Sequence, residues 1–234
     1  MSHSGLSLTE TSMLQALDKL NTISQNVANV NTPAFKSQRS FGDVMDSLDI
    51  RAAKDLSNHI SLQFSQGVPS QTGILYDLMV DGDGFFVINM TNGQQLLTRN
   101  GAFHVNDAGV LVTADGNEVA SEMGNVRISG DFMVDETGAI WADDQKVDQL
   151  RIVTANPDEL TMQGNGYYSL VAPATQINPE NYSIRQGMLE SSNVDVRKEF
   201  TDMIVMMRQF EMQQKVVRLY DQMMNTGIST LGEF

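Results

Sequence analysis

An α+β fold is predicted for this chain, with one helix at each end and an antiparallel β domain between them. Three observations predict it. Apolar residues recur at alternating spacings of three and four in both terminal segments, short apolar runs alternate with turn residues in the middle, and the negative charge gathers in that middle. The chain has 234 residues, 41% of them apolar, which suffices to bury a core and is too apolar for a disordered segment.

The first helix is read over residues 7–30. Met13, Ala16, Leu20, Ile23, Val27 and Val30 form an a/d seam of the sort used by helices that pack side by side, and no Gly or Pro interrupts it. It is expected to stop at Thr32-Pro33, because the residue before a proline is pushed out of the helical region. Residues 40–73 show a mixed pattern, and residues 37–73 are read as an irregular linker.

From residue 74 to 190 the pattern is that of strands. Leu78-Met79-Val80, Phe85-Phe86-Val87-Ile88, Gln95-Leu96-Leu97-Thr98, Ala102-Phe103-His104-Val105, Val110-Leu111-Val112 and Arg151-Ile152-Val153 are the candidates. Between them lie Asp81-Gly82-Asp83-Gly84, Asn92-Gly93, Asn100-Gly101, Asp115-Gly116 and Gly164-Asn165-Gly166, which supply the positive φ that tight turns require. A fragment of about residues 60–190 is expected to fold by itself as a β protein.

The C-terminal helix is read from about Val194 to Met224 or beyond. Its seam runs Val196, Phe200, Met203, Met207, Phe210, Gln214, Val217, Asp221, Met224, Ile228 and Leu231, and Gly227 is expected to end or loosen it. Ile204, Met212, Val216, Leu219 and Met223 make a second, offset stripe. A helix apolar on two sides needs more than one neighbour. The polar seam positions Gln214 and Asp221 have two readings: they fix register between partners, or the helix turns them to water. The six Met residues between 203 and 224 likewise either adapt to varied contacts or fill core.

Charge separates the same three regions. The formal net charge is −14, divided as −1 over residues 1–60, −12 over 61–190 and −1 over 191–234. Near-neutral ends can pack in many copies without accumulating repulsion, while the acidic middle is solvated and repels nucleic acid. The absence of cysteine excludes disulfides and thiolate metal sites. No run of apolar residues is long enough to span a membrane, and the N-terminus does not read as a cleaved signal.

Chemistry-bearing patterns are missing. His3, His59 and His104 have no metal-ligand spacing, no G-x-S-x-G elbow or phosphate-binding loop occurs, and Asp81-Gly82-Asp83-Gly84 lacks the rest of a calcium loop. Asp143-Asp144 reads as a solvated turn. No catalysis, metal or cofactor is expected.

Three stretches carry a family resemblance. Ser24-Gln25-Asn26-Val27-Ala28-Asn29-Val30-Asn31-Thr32-Pro33-Ala34-Phe35-Lys36 resembles the N-terminal signature of the flagellar basal-body rod and hook proteins. Gly82 to Ile88, Leu97-Thr98-Arg99-Asn100-Gly101-Ala102-Phe103 and Asp107 to Gly116 resemble their middle region, and Leu189-Glu190-Ser191-Ser192-Asn193-Val194-Asp195 their entry into the last helix. Arg208 to Gln213 looks more like the proximal-rod members than the distal ones. The family carries Gly where this chain has Ala34, so the turn after Pro33 either keeps φ negative or is strained.

The resemblance implies a structural subunit of the periplasmic rod in the flagellar basal body, exported through the flagellar export apparatus without a cleaved signal. Residues 1–36 and 191–234 would pair as a coiled-coil-like axial core around the export channel, with residues 74–190 as an outer β domain. The implied partners are other rod subunits, copies of itself, the export apparatus, the MS ring and hook-side axial proteins, with no nucleic acid and no membrane insertion. The implied assembly residues are Ala16, Leu20, Ile23, Val27, Asn29, Thr32, Pro33, Phe35, Asn193, Phe200, Met203, Met207, Phe210, Gln214 and Val217. The competing readings are a distal-rod or hook-type axial subunit and, from a different class, a soluble β-domain binding module with incidental flanking helices.

Overall fold

The computed structural model describes residues 2–39, 61–128, 132–156, 159–170, 175–178 and 181–231. Residues 40–60 of the expected linker, and His59 with them, lie outside the described residues.

The chain forms two compact units. One contains α1 (Ser2–Ala28), the pair β1 (Gln38–Arg39) and β2 (Ser61–Leu62), and the C-terminal helix, α2 (Val196–Leu231). The other holds residues 29–37 together with the β domain between 64 and 193.

Within the first unit α1 and α2 pack against each other. Gln213 Nε2 donates to Ser12 Oγ across 2.8 Å, and Asn26 Nδ2 donates to Glu199 Oε1 across 3.0 Å. Val196, Glu199, Met203, Met206, Phe210, Gln213, Val217 and Tyr220 are all half-buried on α2, again at alternating spacings of three and four. This seam shares Val196, Met203, Phe210 and Val217 with the expected one. Its alternate positions fall one residue earlier, at Glu199, Met206, Gln213 and Tyr220 instead of Phe200, Met207, Gln214 and Asp221. The cause is polar: Asn26 is buried on α1 and needs Glu199 opposite it. A hydrophobicity-led reading prefers Phe200 to Glu199. Asp221 faces water, while Gln214 is half-buried. The helix does not end at Gly227 but runs through it to Leu231. A single interior glycine costs only about 1 kcal/mol relative to alanine, too little to stop a helix hydrogen-bonded on both sides.

In the second unit, strands follow in chain order: β3 (Pro69–Gln71), β4 (Leu78–Gly82), β5 (Phe85–Asn89), β6 (Gln95–Thr98), β7 (Phe103–Val105), β8 (Leu111–Thr113), β9 (Glu118–Ser121), β10 (Gly124–Asn125), β11 (Phe132–Val134), β12 (Ala139–Ala142), β13 (Gln145–Gln149), β14 (Ile152–Thr154), β15 (Leu160–Gly164), β16 (Tyr167–Leu170), β17 (Thr175–Gln176), β18 (Tyr182–Gln186) and β19 (Met188–Glu190). All their pairings are antiparallel. The main sheet runs β15-β16-β6-β5-β9-β8-β7, with β10 beside β9 and β14 joining β5 to β17. Phe85-Phe86-Val87-Ile88 reads as an unbroken apolar run because β5 is central and buried on both faces. The core gathers Leu78, Val80, Phe86, Ile88, Leu111, Val119, Ile140, Ile152 and Ile184. Two small sheets, β18-β4 and β19-β3, tie the last strands of the unit back to its first.

Close approach dictates the glycine at 101. A Cβ on Gly101 would lie 1.7 Å from the Leu78 carbonyl oxygen, which accepts no such neighbour. Gly101→Ala is therefore expected to destabilise the protein by at least ~3 kcal/mol, read as a lowered urea midpoint or loss of folded protein.

Candidate functional site

The turn after α1 starts the site. The Thr32 N–H donates to Asn29 O across 3.1 Å, and Thr32 Oγ1 donates to Asn29 Oδ1, also across 3.1 Å, which closes the chain on itself ahead of Pro33. Ala34 then takes φ of 57°, the left-handed region in which alanine is strained. The strained geometry aims its N–H at the Glu190 carbonyl oxygen, 2.7 Å away. Phe35 and Lys36 follow, both buried.

Lys36 and Glu190, 154 positions apart in sequence, form an ion pair that is 1% exposed on each side, with Nζ 2.5 Å from Oε1. Lys36 Nζ also donates to Ser65 O, and the Gly67 N–H donates to the same Glu190 oxygen across 2.8 Å. Arg99 approaches from the main sheet, its NH1 3.7 Å from Glu190 Oε2 and its guanidinium carbon 4.8 Å from the centre of the Phe85 ring. Burial lowers the pKa of Lys36, opposed by the charge of Glu190, and burial lowers that of Arg99 too. Beside them Tyr168 is pushed up to about 12, chiefly by burial and then by the charge of Glu190. Asn193 completes the fastening: its N–H donates to Phe35 O, its Oδ1 accepts from the Ser37 N–H, and its Nδ2 donates to Ser65 O.

Each of the three sequence signatures thus delivers one charge to one dry place: Lys36 from the first, Arg99 from the second and Glu190 from the third. Matches to known families fall on the same three regions. Residues 10–36 match a model described as flagella basal body rod protein, 79–146 one described as flagellar hook protein FlgE/F/G D1 domain, and 185–231 one described as flagellar basal body rod FlgEFG protein C-terminal. The flagellar basal-body rod protein FlgG of Bacillus subtilis is 32% identical over 88% of this chain and 90% of its own. This chain belongs to the flagellar basal-body rod protein family. The rod protein FlgF of Rhizobium meliloti is 29% identical over 97% of this chain and 98% of its own, and FlgF of Caulobacter vibrioides 29% over 92% of each.

As a member of that family the chain is a structural subunit of the flagellar basal body that assembles with other rod subunits, and it is not an enzyme. Among the described residues no helix is long and apolar enough to cross a membrane. The residues expected at the assembly interface divide into groups. Ala16 and Ile23 are buried, and Leu20, Val27, Met203, Phe210, Gln214 and Val217 half-buried, on α1 and α2. Asn29, Thr32, Pro33, Phe35 and Asn193 belong to the other unit; Phe35 is buried there and the rest are half-buried. Phe200 and Met207 are exposed, at 49% and 51%, and lie off the face that α2 turns to α1. Lys36, Arg99, Glu190 and Gly67 were not among the residues expected to matter. The available signal was composition: Lys36 is the lone charge in an otherwise uncharged motif, and Arg99 is one of only five basic residues between 61 and 190.

Two outcomes follow from this geometry. Ala34→Gly relieves the left-handed strain and is expected to raise stability by up to ~1 kcal/mol, the lost methyl burial taking back part of the gain; a lowered denaturant midpoint would contradict this. Tyr168 has a folded-state pKa above its ordinary value, so its contribution is complete below pH 10 and lost as pH rises through about 12. Between those values the native protein is expected to lose ~2 kcal/mol more than Tyr168→Phe, measured by denaturation at each pH.

Proposed function

We propose that this subunit occupies the proximal rod, and that its terminal helices pair and stack with those of neighbouring subunits in a coiled-coil-like core around the export channel. The observation that carries this reading is an apolar surface on α2 that the chain does not cover. Ile204, Val205, Met212, Val216, Leu219 and Met223 are all more than half exposed, along one side of a 36-residue helix. So much uncovered apolar side chain is unusual in a free-standing protein and marks a surface for partners. Phe200 and Met207 extend it, which keeps them within the assembly interface even though they do not face α1. The acidic β domain would stand outside this core, where a net −12 is solvated.

The proximal position is supported by the near end-to-end match with FlgF of Rhizobium meliloti and by the Arg208 to Gln213 stretch. The distal-rod reading keeps one argument, the higher identity to FlgG of Bacillus subtilis. Complementation separates them: the gene is expected to restore swimming to a strain of its own species lacking the proximal member, and restoration only of a strain lacking the distal member would reverse the assignment. The export apparatus, MS ring and hook-side axial proteins are the further partners this position entails.

Leu219→Asp tests the helix surface. The side chain is 57% exposed, so the purified variant is expected to keep native helical content, with stability within ~0.5 kcal/mol of the parent. Swimming is expected to fall at least tenfold, with rods missing from purified basal bodies. Normal rods in that variant would remove the helix surface from the assembly interface.

A further inference from the structure

Around Glu190 two cations meet one buried carboxylate, while Asp83 and Asp81 also act on Arg99. Two cations, Lys36 and Arg99, share one carboxylate in a place where Lys36 is 1%, Glu190 2% and Arg99 5% exposed. Each of the three charges arrives on a separate part of the chain: Lys36 on the segment after α1, Arg99 just beyond β6, Glu190 at the end of β19. Without Glu190 the seat would hold two like charges away from water, and Lys36 would keep, among the described residues, the Ser65 carbonyl alone. That arrangement is strongly unfavourable, since a buried charge without its counter-charge costs several kcal/mol. The backbone is interlaced at the same point. A Cβ on Gly67 would stand 1.8 Å from Ser191 O, the Ser191 N–H donates to Val68 O, and the Ala34 N–H donates to Glu190 O. Residues 34–37 therefore bind a surface whose key atoms, the Glu190 carboxylate and carbonyl and the Asn193 side chain, come from the last few residues of the unit.

We propose that the Lys36–Glu190–Arg99 cluster is a completion lock. The segment 34–37 cannot settle onto the β domain until residues 188–193 are in place, so the first signature to leave the N-terminal end of the chain is the last to dock. Arg99 sets the requirement: held over Phe85 by that ring and by the Val80 carbonyl, with no partner for its Nε among the described residues, it repels Lys36 until a carboxylate stands between them. The β sheet itself does not wait, because β5, β6, β8 and β9 pair among themselves without either terminal segment. A chain that emerges N-terminus first would then keep residues 34–37 undocked for almost its whole passage.

Refolding kinetics of the full-length chain test the lock. A contact made last affects escape from the native state and leaves the barrier to reaching it alone. Glu190→Gln preserves shape and removes the charge. It is expected to speed unfolding at least ~10-fold and to change the folding rate by less than ~2-fold. Hydrogen exchange at Ala34 and Ser37 is expected to accelerate at least ~10-fold, while Val87 and Leu97 keep their protection. Adding Lys36→Met removes the repulsion, so Lys36→Met/Glu190→Gln is expected to unfold more slowly than Glu190→Gln alone. Equal slowing of folding in Glu190→Gln would make the cluster an early nucleus and overturn the proposal. So would a double variant no more resistant to unfolding than the single one. Should Glu190→Gln fail to fold, recovery of a folded chain in the double variant supports the lock, and failure of both overturns it.

Discussion

One buried carboxylate organises the β unit. Glu190 receives Lys36 from before the domain, the Gly67 N–H from its first loop and the guanidinium of Arg99 from its main sheet. In water each of these contacts would be worth little. In a site this dry the same contacts become hard to do without, since any one partner left alone would be a stranded charge. The surrounding choices follow from that need. Gly67 has no Cβ because the chain carrying Glu190 crosses directly over it, and Ala34 tolerates a left-handed backbone because its N–H is wanted on the Glu190 carbonyl. Phe64, Phe85 and Tyr168, with ring centres 5.5 to 6.0 Å apart, wall the cluster from solvent.

The helical unit follows a softer rule. Its seam is apolar at every other position and mixed at the rest, where Glu199 meets Asn26 and Gln213 meets Ser12. Such polar pairs add little net stability but fix which residue lies opposite which, because a slip of one turn would leave buried amides without partners. Asn26 is bound further, its side chain accepting from the Gln38 N–H and donating to the Gln38 carbonyl as a strand would. That pair of hydrogen bonds ties the end of α1 to β1 within the same unit.

Much of this was legible in the sequence, for identifiable reasons. The helices were, since periodicity survives in any amphipathic segment, and so were β5, β6 and β8, whose runs of Phe, Val, Ile and Leu are buried on both faces. Strands β13 and β15 were not: Gln145–Gln149 and Leu160–Gly164 are largely polar and are recruited by pairing with a neighbour, a tertiary effect no local pattern announces. The seam was misplaced at alternate positions because hydrophobicity cannot see that Glu199 has a buried amide to satisfy. The charge cluster escaped because charged residues are ordinarily read as surface. Only the fold reveals that Lys36, Arg99 and Glu190 converge. Ala34 was the exception among local features: the missing glycine pointed to a choice between negative φ and strain, and the backbone takes the strain.

The uncovered side of α2 is rich in thioethers. Met207, Met212 and Met223 are each more than half exposed. Sulfur so placed is open to peroxide, and oxidation turns a supple apolar side chain into a stiffer, polar sulfoxide. Three such lesions along one helix would convert an apolar surface into one that prefers water. In the assembly proposed above, burial of this surface by neighbouring subunits would also shield these sulfurs from oxidants.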